Sequence, residues 1–424
     1  MRRCYSPRRD SRVMVNGGSR VHTACLLAAI GLVALAGCER GGAAAPPALT
    51  QITSPAGPGS GEPFLAQGSD GVMYLSWLEP IDSAHALRFA AYDGATWSAP
   101  RTIREGRDFF VNWADFPSIK VLDDGRLAAH WLQRTGPGTY AYGVRVSQSA
   151  DGGSTWSEPL IPHRDSSDTE HGFVTLWREG AGMSAVWLDG RKYDTEGHSP
   201  ANEMMVMTTT VSADGRLGAE TPLDERACDC CQTAVAITSS GPVVAYRDRS
   251  ADEIRDIYVV RRVSNRWTTP VPVHADGWKI AACPVNGPAL AAKDERVALA
   301  WFTSANDSAK VKVAFSSDAG ASFGAPVRID EGQPAGRVDV ALLRDGGALV
   351  IWIERTGGDT AAVRVRRVTA DGKPAPAITI AASSAARASG VPRMVMRGDD
   401  AIFAWTVPGK PSVIRLAKLT NPGG

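Results

Sequence analysis

Four of the seven cysteines lie in the body of the chain, as Cys228-Asp229-Cys230-Cys231 and the distant Cys283. An even number of cysteines in an oxidising compartment predicts two disulfides, with three possible pairings. Cys283 would bridge to the cluster through Cys230 or Cys231, because a vicinal Cys230–Cys231 bond is strained. The same sulfurs, as thiolates, could hold zinc or copper, with His171 as a further ligand. C-x-C-C is not a zinc-knuckle spacing, and the compartment favours disulfides over metal. On that reading no cofactor is expected.

A second set of residues could bind or transform a polar ligand. Asp115, Glu170, Asp189 and Asp248 are candidate acid/base carboxylates, the pairing that glycoside hydrolysis needs. Arg191, Arg247 and Arg249 could grip a carboxylate bidentately. Trp113, His171, Gln232 and Asn286 are further candidates for ligand contact. These residues cluster in short segments: Trp113 to Pro117, Glu170 to Phe173, Cys228 to Gln232, Cys283 to Pro288, Arg337 to Asp339, Asp189 to Arg191 and Arg247 to Arg249. Asp115 is the expected base, and Arg191 and Arg247 the expected ligand-binding arginines.

The elements that must position them repeat. Short apolar strands end in Trp77, Trp131, Trp187, Tyr246, Trp301, Trp352 and Trp405, spaced 51 to 59 residues apart. Four short strands per unit, bounded by turn residues, at a period near 50 predict a β-propeller. The expected fold is all-β, a seven-bladed propeller of four-stranded antiparallel blades, with six blades as the alternative. The seventh unit runs out after three strands, and Leu49 to Thr53 is predicted to complete it, closing the sheet edge. The loops leading into each first strand, and those after each second strand, should share one face. The candidate residues above all fall in those loops and should converge at the channel mouth, since loops on a rigid scaffold carry function.

Ser149-Ala150-Asp151-Gly152-Gly153-Ser154-Thr155-Trp156 and Ser316-Ser317-Asp318-Ala319-Gly320-Ala321-Ser322-Phe323 fit S-x-D-x-G-x-[ST]-[WF]. They resemble the Asp-box of sialidases and other BNR-repeat proteins, and the resemblance spans nearly all of the chain after residue 48. It implies a sialidase-like propeller, typically of six blades. It also implies, for an active enzyme, three carboxylate-binding arginines, a Tyr nucleophile assisted by Glu and an Asp acid/base. Arg134, Arg191, Arg247, Arg249, Arg337 and Arg393 lie near the appropriate face. The early R-[IV]-P motif is missing, and no Tyr–Glu pair is identifiable, although Tyr193 and Tyr246 lie near second-strand ends. The box aspartates themselves read as turn residues.

The N-terminus reads as an export signal. Six arginines precede an apolar run from Ala24 to Gly37, too short to span a bilayer, followed by Cys38. Leu35-Ala36-Gly37-Cys38 resembles a bacterial lipobox, which implies lipidation of Cys38. The organisation is then 1–37 signal peptide, 38–48 Gly/Ala/Pro-rich tether and 49–419 a single propeller domain. Cleavage leaves 40 basic and 44 acidic residues, a net charge of −4, with no basic stripe to hold nucleic acid. The expected setting is the bacterial cell envelope, lipid-anchored at the outer membrane and facing the periplasm. The expected partner, besides that membrane, is a small polar or carbohydrate ligand. A hydrolase of sialidase type and a metal-handling protein built on the cysteines stand as alternatives.

Overall fold

The computed structural model describes residues 47–122, 125–193 and 202–423. Among these, seven antiparallel sheets follow one another along the chain. Each begins with a first strand: Gly61–Gln67, Ser118–Val121, His171–Glu179, Ala234–Thr238, Ala289–Lys293, Pro334–Leu342 and Arg393–Arg397. The expected second strands are all present, ending in or just after the seven aromatics. All seven aromatic side chains are buried between sheets. Where the ring is indole, its N–H needs an acceptor. Trp77, Trp187 and Trp352 each donate to the carboxylate two residues on, Glu79 at 2.9 Å, Asp189 at 2.7 Å and Glu354 at 2.5 Å.

The propeller closes as the truncated last unit demands. Leu49–Ile52 pairs antiparallel with Val413–Leu419, Leu49 opposite Leu419 and Ile52 opposite Leu416. Blade 2 departs from the four-stranded rule. Its fourth strand shrinks to one bridge between Val146 and Leu160. Pro159 and Pro162 flank Leu160, and neither can donate a ladder hydrogen bond.

Both full Asp-boxes are turn locks. Asp151 Oδ1 accepts the Thr155 N–H at 2.9 Å, and Asp318 Oδ1 accepts the Ser322 N–H at 2.9 Å. The hydrogen bonds to Thr155 and Ser149 hold the Asp151 carboxyl at about 2, below the ordinary carboxylate range. These residues are exposed and belong to the scaffold. Trp156 of the first box meets Phe89 of the preceding blade edge-on, ring centres 6.0 Å apart.

Candidate functional site

The lead-in loops are tied to one another around the channel mouth. Asp115 Oδ1 accepts the Phe173 N–H at 2.7 Å. Gln232 Oε1 accepts the Gly287 N–H at 2.9 Å, and its amide donates to the Ala114 carbonyl at 2.6 Å. Asn286 Oδ1 accepts the Arg337 N–H at 2.7 Å, and Asp339 Oδ2 the Met394 N–H at 2.9 Å. Phe173 and Arg337 lie at φ +53° and +58°. The glycines before them make room: a Cβ on Gly172 would stand 2.0 Å from Asp115 Oδ2, and one on Gly336 2.2 Å from Asn286 Oδ1. Asp115, Gln232 and Asn286 therefore have an architectural task, linking each blade to another at the mouth.

Asp115 has a second partner. The hydroxyl of Tyr142 lies 2.9 Å from Asp115 Oδ2 and 2.7 Å from Glu170 Oε1. A phenol carries one proton, so it can donate to only one of two carboxylates. For both contacts to be hydrogen bonds, one acid must itself be protonated. Burial raises Asp115 to about 7 and Glu170 to about 8, the latter assisted by the charge of Asp115 and resisted by the Tyr142 hydrogen bond. Phe110 stacks on the Tyr142 ring, centres 3.8 Å apart. This Tyr–Glu contact escapes sequence inspection because the partners come from different blades.

Beside it, His171 Nε2 lies 3.0 Å from Asp165 Oδ2 and 3.6 Å from Asp189 Oδ1. The ring is 1% exposed, and its Nδ1 faces the Thr169 carbonyl at 3.0 Å. His163 stacks parallel at 4.1 Å. Burial and the charge of His171 lower His163 to about 4, so it is neutral near pH 7. Asp189 is engaged on three sides, by Trp187, by His171 and by a two-pronged hydrogen bond from Arg191, 2.7 Å on each prong. Its counterparts in blades 1 and 6 are Glu79 and Glu354, so its first role is to anchor an indole.

The arginines expected to bind ligand are committed to the protein. Arg191 also reaches Glu220 at 3.2 Å. Arg247 donates to the carbonyls of Asn286, Arg255 and Phe302 at 2.6–3.0 Å, and its guanidinium lies over Trp278. Arg249 pairs with Glu253 at 2.7 Å and donates to the Asn202 carbonyl. Arg337 covers the Trp113 ring and donates to three carbonyls of 385–390. Asp248 stands apart from Asp115, at the seam of blades 3 and 4. Burial and the charge of Asp224 raise it to about 7.

The cysteines form one disulfide, Cys230–Cys283, which joins the lead-in loops of blades 4 and 5. Cys228 and Cys231 are buried thiols with sulfurs 3.6 Å apart. The difference from two disulfides is thus one unformed bond between neighbours already in contact.

A cavity of about 260 Å³ follows the channel inward from the mouth, with Asp115, Lys120, Gln232, Arg337, Asp339 and Arg393 on its wall. Arg393 lies 3.9 Å from Asp339 and stacks on Phe116 and Phe64. Lys120 has no ion-pair partner among the described residues, and burial lowers its pKa. The alternation Ser118, Lys120 along a first strand signals an inward ammonium, but only a known channel gives that direction meaning.

No protein-family profile matches the chain, and no curated protein sequence matches it. Solved structures do. Hadza microbial sialidase Hz136 is 14% identical over 69% of this chain and 63% of its own, with a TM-score of 0.44. Phage phi92 endosialidase is 11% identical, covering 88% and 69%, with a TM-score of 0.47. Trypanosoma rangeli sialidase with the inhibitor DANA is 12% identical, covering 75% and 56%, with a TM-score of 0.47. The chain thus spans less than two thirds of the length of the first and third of these. The fold is a propeller of seven blades; to these structures the chain is similar at 11–14% identity and TM-scores of 0.44–0.47.

Proposed function

We propose that this propeller is an envelope-anchored binding module that takes a small polar anion, a carbohydrate acid included, in the channel below its mouth. The observation that carries the reading is Lys120, a channel-lining ammonium that no described carboxylate neutralises. Arg393 and Asp339 on the wall of the same cavity offer a donor and an acceptor of opposite sign. A ligand carboxylate would supply the charge that Lys120 lacks, and hydroxyls would suit the Arg393–Asp339 pair. N-acetylneuraminic acid and glucuronate are the probes to titrate calorimetrically. The wild type should bind one of them, and Lys120→Met should bind it at least about tenfold more weakly, the loss of one charge-assisted hydrogen bond. No binding of either acid, or equal binding by the variant, rejects the channel as the site.

The Tyr142–Glu170 contact favours a second reading, hydrolysis of an acidic glycoside with Asp115 as acid/base. Tyr142 is 1% exposed beneath Phe110, so a substrate would have to displace that ring. Turnover of a fluorogenic sialoside that Tyr142→Phe abolishes would establish it.

The anchor is part of the proposal. The signal peptide, lipobox and Cys38 lie outside the described residues. Cells fed a clickable fatty-acid analogue should label the wild-type protein and leave Cys38→Ala unlabelled. Equal labelling of the two rejects the lipid anchor.

A further inference from the structure

The cysteine cluster has surroundings that a buried pair of neutral thiols does not need. Cys228, Cys230 and Cys231 are 0%, 6% and 1% exposed. Cys228 Sγ lies 3.6 Å from Cys231 Sγ and 3.7 Å from Cys230 Sγ. Those spacings are close to the edge of a sulfur tetrahedron around a metal ion with bonds of about 2.3 Å, which is roughly 3.8 Å. Hydrogen-bond donors are aimed at the sulfurs themselves. The Asn286 N–H points at Cys231 Sγ from 3.4 Å, and Arg255 Nη1 at Cys228 Sγ from 3.2 Å. Donors and cations of this kind stabilise thiolate, and surround thiolate ligands outside a metal's first coordination sphere.

Those groups are themselves fixed. Arg255 is braced by Asp229 at 3.2 Å and Glu253 at 2.9 Å. Arg247, whose carbonyl accepts the Cys228 N–H at 2.9 Å, is locked to three carbonyls. The Asp229 carboxylate lies within 4.8 Å of the Cys230 and Cys283 sulfurs but is paired with Arg255, so sulfur dominates the donor set. Sulfur ligation selects soft ions, zinc or copper(I), over magnesium or calcium.

Two of the four sulfurs are withheld. In the Cys230–Cys283 bond both sulfurs are oxidised and uncharged, so neither offers a thiolate. Thiol–disulfide exchange with a dithiol would break that S–S bond, oxidise the dithiol to its own disulfide and leave Cys230 and Cys283 as thiols. A metal ion would then displace the thiol protons and bind the thiolates. We propose that Cys228, Cys230, Cys231 and Cys283 form a thiolate site for a soft metal ion, open when the Cys230–Cys283 bond is reduced and closed when it is oxidised.

The test uses the full chain in two states, as purified and after dithiothreitol followed by desalting under nitrogen. Thiols are counted in both under denaturing conditions. Each state is then titrated with zinc or, separately, copper(I), against a chromogenic chelator of the same ion. The expected result is two more thiols on reduction and one tightly held ion per reduced chain. Affinity should be about 100-fold or more weaker in the oxidised state, the loss of two ligands. The arm with the tighter binding identifies the ion. Cys228→Ser/Cys231→Ser, which keeps the disulfide, should lose that uptake after reduction while its melting transition persists. Failure of the reduced wild type to take up either ion overturns the proposal, as does equal uptake by both states or by the double variant. A gain of four thiols without metal uptake makes the cluster two structural disulfides, and also overturns it.

Discussion

A chain lacking Leu49–Ile52 is expected to melt about 5 °C lower and to lose protection of the amides of Val413–Leu419. The strand supplies a full antiparallel partner to the last strand of blade 7, from Leu49 opposite Leu419 to Ile52 opposite Leu416. Its side chains also serve two cores. Leu49 packs into the cluster of blades 6 and 7 that holds Phe403 and Trp405, and Ile52 into the cluster of blades 7 and 1 that holds Trp77 and Leu416. Hydrogen bonds of about 1 kcal/mol each, together with two partly buried aliphatic side chains, total a few kcal/mol. A domain of about 370 residues converts that to a shift of roughly 1–1.5 °C per kcal/mol. Calorimetry checks the melting temperature and hydrogen exchange checks the strand. An unchanged melting temperature would mean that the propeller does not depend on this closure.

Glu170→Gln is expected to stabilise the protein in mild alkali and leave it unchanged in mild acid. Glu170 is raised from an ordinary 4.5 to about 8 because it is buried. A carboxyl raised in the folded state contributes fully below its unfolded pKa, and that contribution is lost as pH rises through its folded pKa. Wild-type stability should therefore decline between about pH 5 and pH 8, because the unfolded carboxyl ionises while burial and the charge of Asp115 keep the folded one protonated. Glutamine keeps the shape and carries no proton to lose. Its melting temperature at pH 8 should exceed that of the wild type by about 5 °C, several pKa units being worth a few kcal/mol. At pH 5 the two should coincide. Parallel pH profiles for both proteins would show that Glu170 is ionised throughout.

Blade number was legible because each blade must bury one large aromatic between sheets, and seven such residues punctuate the sequence. That the lead-in loops share one face was legible too, since antiparallel connections alternate faces. Their roles were less so. Asp189 read as a catalytic acid, yet the pattern Trp-x-Glu/Asp, repeated at Trp77 and Trp352, marks it as an indole anchor, and that signal was available in the sequence. Arg247 read as a ligand hook because a guanidinium in a loop suggests an anion. Its acceptors are carbonyls up to 55 residues away, contacts that no local spacing encodes. Tyr142 and Glu170 meet only because blade 2 lies against blade 3. Lys120 was passed over because a lysine in a strand reads as solvated, and only a closed ring turns that side chain inward. The cysteine pairing could not be read, since three connectivities satisfy the same four positions.

Closure by Leu49–Ile52 also fixes an order of events. The first described strand pairs with the last, some 370 residues later. While the chain is being made, that early strand has no partner, and each blade built after it leaves the ring open. Closure therefore reports completeness. A chain cut short anywhere before Leu419 keeps an unpaired edge at both ends, open to proteases and to other edges. Only a chain that includes Val413–Leu419 can hide both. The long sequence separation that makes the last step of folding slow also separates finished molecules from unfinished ones.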